Sequence, residues 1–157
     1  MLARLGIGAL GVTACIGIGL LTGLGAYTFD YAEGTSYLSN EPEACINCHI
    51  MRDVYAGWQR STHHAVAVCN DCHVPQSFIP KMWTKAVHGY RHSKGFTFQD
   101  FHEPIQIGAD SLAVVEDNCR RCHRSLVDDI LAPAGASHGE GIACVHCHSH
   151  VGHGPRR

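Results

Sequence analysis

The chain opens on an apolar block and then changes character. From Leu5 to Phe29 the sequence LGIGALGVTACIGIGLLTGLGAYTF carries no charge over 25 residues, which predicts a helix of roughly 37 Å against about 30 Å of bilayer hydrocarbon. Its seven glycines weaken a helix in water but are tolerated in lipid, where the backbone bonds to itself. A cleaved signal peptide is the alternative, but its apolar region normally spans about 7–15 residues before a small-residue cleavage site. Here the run is longer, and only a weak Gly23-x-Gly25 site precedes Ala26. Residues 1–29 are therefore expected to be a retained membrane anchor. Arg4 on the near side, with Asp30, Glu33, Glu41 and Glu43 on the far side, places the N-terminus inside and the remainder outside. Cys15 reads as a small apolar residue of the span.

A second pattern lies within residues 76–92. Apolar residues at 79, 82, 83, 86, 87 and 90 follow helical spacing, and Pro80 suits the first turn. Lys81, Lys85, His88 and Arg91 take the opposite face. Two arrangements fit such a segment. Its Trp and Phe side can lie at the bilayer interface, or the stripe can pack on a cofactor with the bases turned to water.

Composition narrows the class. A net charge of −2 and a pI near 6.6 exclude the basic excess of a nucleic-acid binder. Charged residues at 17% are too few for a disordered tail. With 17 Gly, 6 Pro and few aromatics in 157 residues, a large conventional apolar core is not expected. Against that poverty stand 9 Cys and 13 His, every histidine at or beyond residue 49.

Eight of the cysteines form four pairs, each followed at once by histidine: Cys45/Cys48-His49, Cys69/Cys72-His73, Cys119/Cys122-His123 and Cys144/Cys147-His148. C-x-x-C alone also fits zinc or a redox dithiol, whereas C-x-x-C-H is the attachment pattern of c-type haem. Four chance adjacencies have a probability on the order of 10⁻⁵ to 10⁻⁴. Two thioethers fix the porphyrin edge, and the adjacent histidine reaches the iron. After the anchor, residues 30–157 would then hold four haems that themselves make up much of the core. Such attachment also belongs to the oxidising outer side. The first cysteines of successive motifs are 24, 50 and 25 residues apart, which suggests two dihaem halves (about 41–75 and 115–153) around the amphipathic insert. The expected fold is a mainly α, irregular multihaem cytochrome c with a single N-terminal transmembrane helix.

Four irons have up to eight axial positions, and the motifs supply His49, His73, His123 and His148. Nine histidines remain (His63, His64, His88, His92, His102, His138, His146, His150 and His153), more than the open positions, so spacing alone does not assign them. His146 and His150 flank His148 too closely to reach another iron easily. Met51, two residues past His49, either ligates the first iron or packs on its porphyrin.

The anchor, the four paired motifs and Cys45-x-x-Cys48-His49-x-Met51 together resemble the membrane-anchored tetrahaem cytochrome c quinol dehydrogenases of the NapC/NrfH family. The stretches STHHAVAVCNDCHVP and SHGEGIACVHCH look most like the small subunits of cytochrome c nitrite reductase complexes within it. The resemblance implies electron flow from menaquinol, in the cytoplasmic membrane, to a periplasmic multihaem reductase held in a hetero-oligomeric complex. It implies Met51 at the first iron, His64 at the third and His153 at the second, with Lys85 at the quinol site. His92 stands where some relatives carry an aspartate, which leaves the first iron either open on one face or closed by His92. The fourth iron's distal ligand comes from His138 or from the partner. In the resulting scheme Lys85 hydrogen-bonds a quinol oxygen, and His92, with Asp53 as the weaker candidate, accepts the proton. The rivals are a terminal reductase with an open iron and an electron wire that never touches quinone.

Overall fold

The computed structural model describes residues 2–131 and 143–154. The chain divides into two compact units, residues 1–36 and 37–157. Helix α1 (Leu2–Tyr31) forms most of the first unit. Its Gly8–Tyr31 stretch is long and apolar enough to cross a membrane. Leu10, Ile18, Leu21 and Leu24 all stand more than half exposed. Thr13 and Thr28 turn their hydroxyls back onto the carbonyls of Ala9 and Leu24, four residues earlier, at 2.9 and 2.7 Å. Each hydroxyl is thereby satisfied within the helix, as an apolar surrounding requires.

The second unit is built of helices and short 3₁₀ turns: Pro42–Asn47, His49–Met51, α2 (Arg52–Gln59), Thr62–Ala65, α3 (Cys69–His73), α4 (Phe78–Phe98), α5 (Ala109–Leu131) and α6 (Cys144–Cys147). No strand occurs among the described residues, in keeping with the mainly α reading. Helix α4 starts with Pro80 in its first turn, where a missing N–H costs nothing. It stops at Gln99 in a left-handed conformation (φ 55°), whose N–H returns to Gly95.

The apolar core of this unit is very small. Among the described residues, Trp58 and Val74 are its buried apolar side chains, and no side chain is fully buried. So little burial does not offset the conformational entropy of ordering such a chain. Polar fastenings take over part of the work. The Trp58 indole donates to the Ala67 carbonyl at 3.0 Å, and its ring lies against Tyr55 and His64. Gly57 lets α2 approach the C-terminal segment, because a Cβ there would overlap the His153 carbonyl. Lys85 and Asn118 are the buried polar side chains, 4% and 8% exposed.

Candidate haem centres

The four motifs sit in different local structures. Cys45 lies in the 42–47 turn, Cys48 is extended (φ −88°, ψ 110°), and His49 opens the turn that leads into α2. The ring beside His49 is that of Phe96, edge-on at 6.5 Å, and Met51 is half-buried. The second motif is the whole of α3. Its first turn is fixed by the Asp71 carboxylate, which accepts the Val68 N–H at 2.9 Å. The third motif lies inside α5, whose helical geometry breaks at His123 (φ −103°, ψ 15°). The fourth motif is α6, followed directly by His148.

Two motif histidines face a second histidine from far along the chain. His73 stacks on His153 with ring centres 5.9 Å apart and planes 27° apart. His123 meets His63 at 6.1 Å and 73°. Two imidazoles that share one iron stand about 6 Å apart between ring centres, given metal–nitrogen bonds of about 2.0–2.1 Å. Burial lowers the His73 imidazole to about 4, with His153 and His88 adding to the shift. A neutral ring is the form that ligates. A cavity of about 500 Å³ opens beside the fourth motif, lined by Gly57, Arg60, Ser61, Cys147, His148 and His153 among others. These paired rings, this cavity and the missing apolar core fit a covalently held porphyrin.

The attachment cysteines also run in sequence. The Cys45 thiol is hydrogen-bonded to Cys69, which lowers the former to about 7 against the opposing effect of burial. Burial raises Cys72, and Asp71 and Cys122 add to that rise. Burial raises Cys119 to about 11, with Cys144, Glu116 and Cys72 contributing. Residues 42–47, which hold Cys45, pack on α3, α3 packs on α5 and α5 on α6, so consecutive motifs are neighbours.

The histidines matched by resemblance fall into place unevenly. The His153 ring lies against that of His73. His64 instead turns its ring edge onto Trp58 at 4.6 Å, and the neighbouring His63 faces His123. His138 lies outside the described residues. Asp53 is exposed in the first turn of α2. His92 stacks on His88 one turn earlier at 5.9 Å, and His88 is hydrogen-bonded to the Ser111 hydroxyl at 3.1 Å. A cavity of about 430 Å³ beside them is lined by Trp83, Val87, His88, Arg91, Asp110 and Ser111, among others.

Lys85, on the basic face of α4 by periodicity, is the buried residue of that helix. Its Nζ donates to the carbonyls of Tyr37 at 3.0 Å, Leu38 at 3.1 Å and Ser39 at 2.5 Å. Ile79, Trp83 and Tyr90, on the apolar stripe, are 78%, 72% and 70% exposed. Asn118 and Glu116 were not foreseen as site residues. Nothing local in the sequence marks them, because their partners lie 28 to 46 residues away.

Residues 8–156 match the model of the NapC/NirT cytochrome c family, N-terminal region. The chain belongs to this family. It is 38% identical over 143 residues to the cytochrome c-type protein NrfH of Wolinella succinogenes, covering 86% of this chain and 81% of that one. It is 31% identical over 139 residues to the cytochrome c-type protein NapC of Escherichia coli K12, covering 73% and 69%. Its fold matches a chain in the crystal structure of the cytochrome c nitrite reductase NrfHA complex bound to the HQNO inhibitor, with a TM-score of 0.61 and 29% identity over 97% of this chain and 90% of that one. As a member of the NapC/NirT family it is a membrane cytochrome c that transfers electrons, with covalently bound c-type haem.

Proposed function

We propose that the protein oxidises menaquinol at the outer surface of the cytoplasmic membrane and passes the electrons, through four c-type haems, to a periplasmic cytochrome c nitrite reductase. The observation that carries the relay is that consecutive motif segments pack on one another, residues 42–47 on α3, α3 on α5 and α5 on α6. The likeness to NrfH supports the choice of partner. Orientation with the N-terminus inside and residues 37–157 in the periplasm rests on Arg4 and on the outer location of haem attachment.

The haems supply one-electron steps, so a two-electron quinol is emptied one electron at a time. The residues of the chain hold and position. Cys45, Cys48, Cys69, Cys72, Cys119, Cys122, Cys144 and Cys147 are the eight attachment points. His49 or Met51, His73, His123 and His148 are the motif-side ligands; His153 stands opposite His73, and His63 rather than His64 stands opposite His123. The exposed Ile79, Trp83 and Tyr90 give α4 an apolar face for the lipid surface, where the quinol partitions. A quinol oxygen replaces one of the three carbonyls on Lys85, and the exposed His92, with Asp53 as the alternative acceptor, takes the protons one at a time and passes both to the outer side.

Lys85→Leu is expected to abolish quinol oxidation while every haem stays reducible by dithionite. Unchanged quinol turnover in that variant would overturn the site. One observation favours a second reading. Lys85 already uses all its N–H groups on carbonyls, which suits an electron wire that never touches quinone. No quinol-driven haem reduction in the unaltered protein, with full reduction by dithionite, selects that reading.

A further inference from the structure

Helix α5 carries the third motif and also grips the motifs on either side of it. The second motif, α3, is five residues long, so its final carbonyls have no helical partners of their own. Val74 N–H reaches the Asn70 carbonyl at a long 3.4 Å. The carbonyls of Asp71, Cys72 and Val74 are met from α5. Asn118 donates its Nδ2 to the carbonyls of Cys72 and Val74, both at 3.0 Å, on either side of His73. Arg121, one turn later, donates to the Asp71 carbonyl at 3.3 Å and to the Asn118 Oδ1 at 3.3 Å, which holds the amide in that orientation. The amide is 8% exposed and immediately precedes Cys119. It therefore moves with the third haem's attachment while it fixes the second haem's histidine.

Two residues earlier the same helix grips the fourth motif. The N-cap of α6, Ala143, has no side-chain oxygen to satisfy the first amides. Glu116 accepts them instead, the Cys144 N–H at 2.8 Å on Oε2 and the Val145 N–H at 3.1 Å on Oε1. This bidentate carboxylate cap combines hydrogen bonding with the positive end of the peptide dipoles.

We propose that Asn118 and Glu116 are positioning residues of the electron relay, which make α5 a splint that sets the second and fourth haems against the third. This rests on the reading that each motif carries one haem. Electron tunnelling falls steeply with the gap between haem edges, so in a domain with almost no apolar core these side chains govern the relay's geometry.

The test uses the full chain, loaded with haem and purified in detergent. Haem content is first counted by pyridine haemochrome and intact mass. A count other than four in the unaltered protein defeats the tetrahaem reading itself and leaves the splint contacts a separate matter. The low-spin electron paramagnetic resonance signals and midpoint potentials of the four haems are then compared, with signals assigned from His73→Ala, His123→Ala and His148→Ala. Asn118→Leu is expected to shift the second haem's signal and spare the fourth. Glu116→Gln is expected to shift the fourth and spare the second. Arg121→Leu, a milder change, is expected to move the second in the same direction by less, so the proposal remains testable if Asn118→Leu loses haem. A general loss of stability would not produce this crossed pattern. Unchanged signals in all variants, or all four signals shifting together in each, would overturn the proposal.

Discussion

The junction of α4 with residues 37–39 and the junction of α3 with α5 are each closed by one buried side chain that donates to backbone carbonyls, yet they differ in kind. At the first, Lys85 brings a charged ammonium on a flexible stem to three carbonyls. Burial lowers its pKa, nearby Lys81 adds to that, and Cys45 opposes it. At the second, Asn118 brings a neutral amide, itself held by Arg121, to carbonyls on both sides of His73. A lysine on a four-carbon stem readily exchanges partners, while a short amide clamped at its oxygen does not. The first junction, beside the exposed apolar face of α4, is suited to let a ligand in. The second is suited to keep two haems still. Where apolar burial is scarce, donors aimed at orphan carbonyls decide which parts stay rigid.

Four changes would break or sharpen that contrast. The largest effect is expected from Cys69→Ala/Cys72→Ala, which removes the attachment inside α3. Intact mass should show one haem fewer, and thermal melting should show the α3–α5 junction collapsing while quinol-dependent reduction at the first haem persists. Lys85→Met comes next. It leaves three carbonyls without their donor and should lower stability by about 2–5 kcal/mol in a denaturant titration, together with loss of quinol oxidation. Gly57→Ala should cost about 1–3 kcal/mol. Its added methyl meets the His153 carbonyl, and a high-spin fraction of the second haem should appear in the visible spectrum. Acid should act most gently. Although burial alone would raise the Glu116 carboxyl, the bonds it accepts hold it below the usual value, from the Cys144 thiol in the haem-free chain and from the Val145 and Cys144 N–H groups in either state, and Arg120 helps. The group's contribution is complete above the ordinary carboxylate range and fades as pH falls through its lowered folded value. The fourth haem's signal should shift over that acidic window in the native protein and remain pH-independent there in Glu116→Gln.

Local patterns made the outline legible. The uncharged run gave α1, the spacing from 79 to 90 together with Pro80 gave α4, and the four C-x-x-C-H motifs marked the attachment points. What escaped depends on distance along the chain. Lys85 sits on the polar face of α4 by periodicity, but segment 37–39, some 46 to 48 residues earlier, covers it with carbonyls. The 23-residue α5 was not anticipated because its pattern is interrupted by the third motif and serves neighbouring motifs as well as a core. The adjacent pair His63–His64 offers two equivalent imidazoles in sequence, and only the turn over Thr62–Ala65 decides that His63 faces His123 while His64 packs on Trp58. Asn118 has no visible purpose until Cys72, 46 residues before it, lies alongside.

The most direct test of the account is stopped-flow haem reduction by a menaquinol analogue, with the purified protein in detergent and no partner present. The account predicts rapid partial reduction that a quinone-site inhibitor blocks. No reduction by quinol, with full reduction by dithionite, would contradict it.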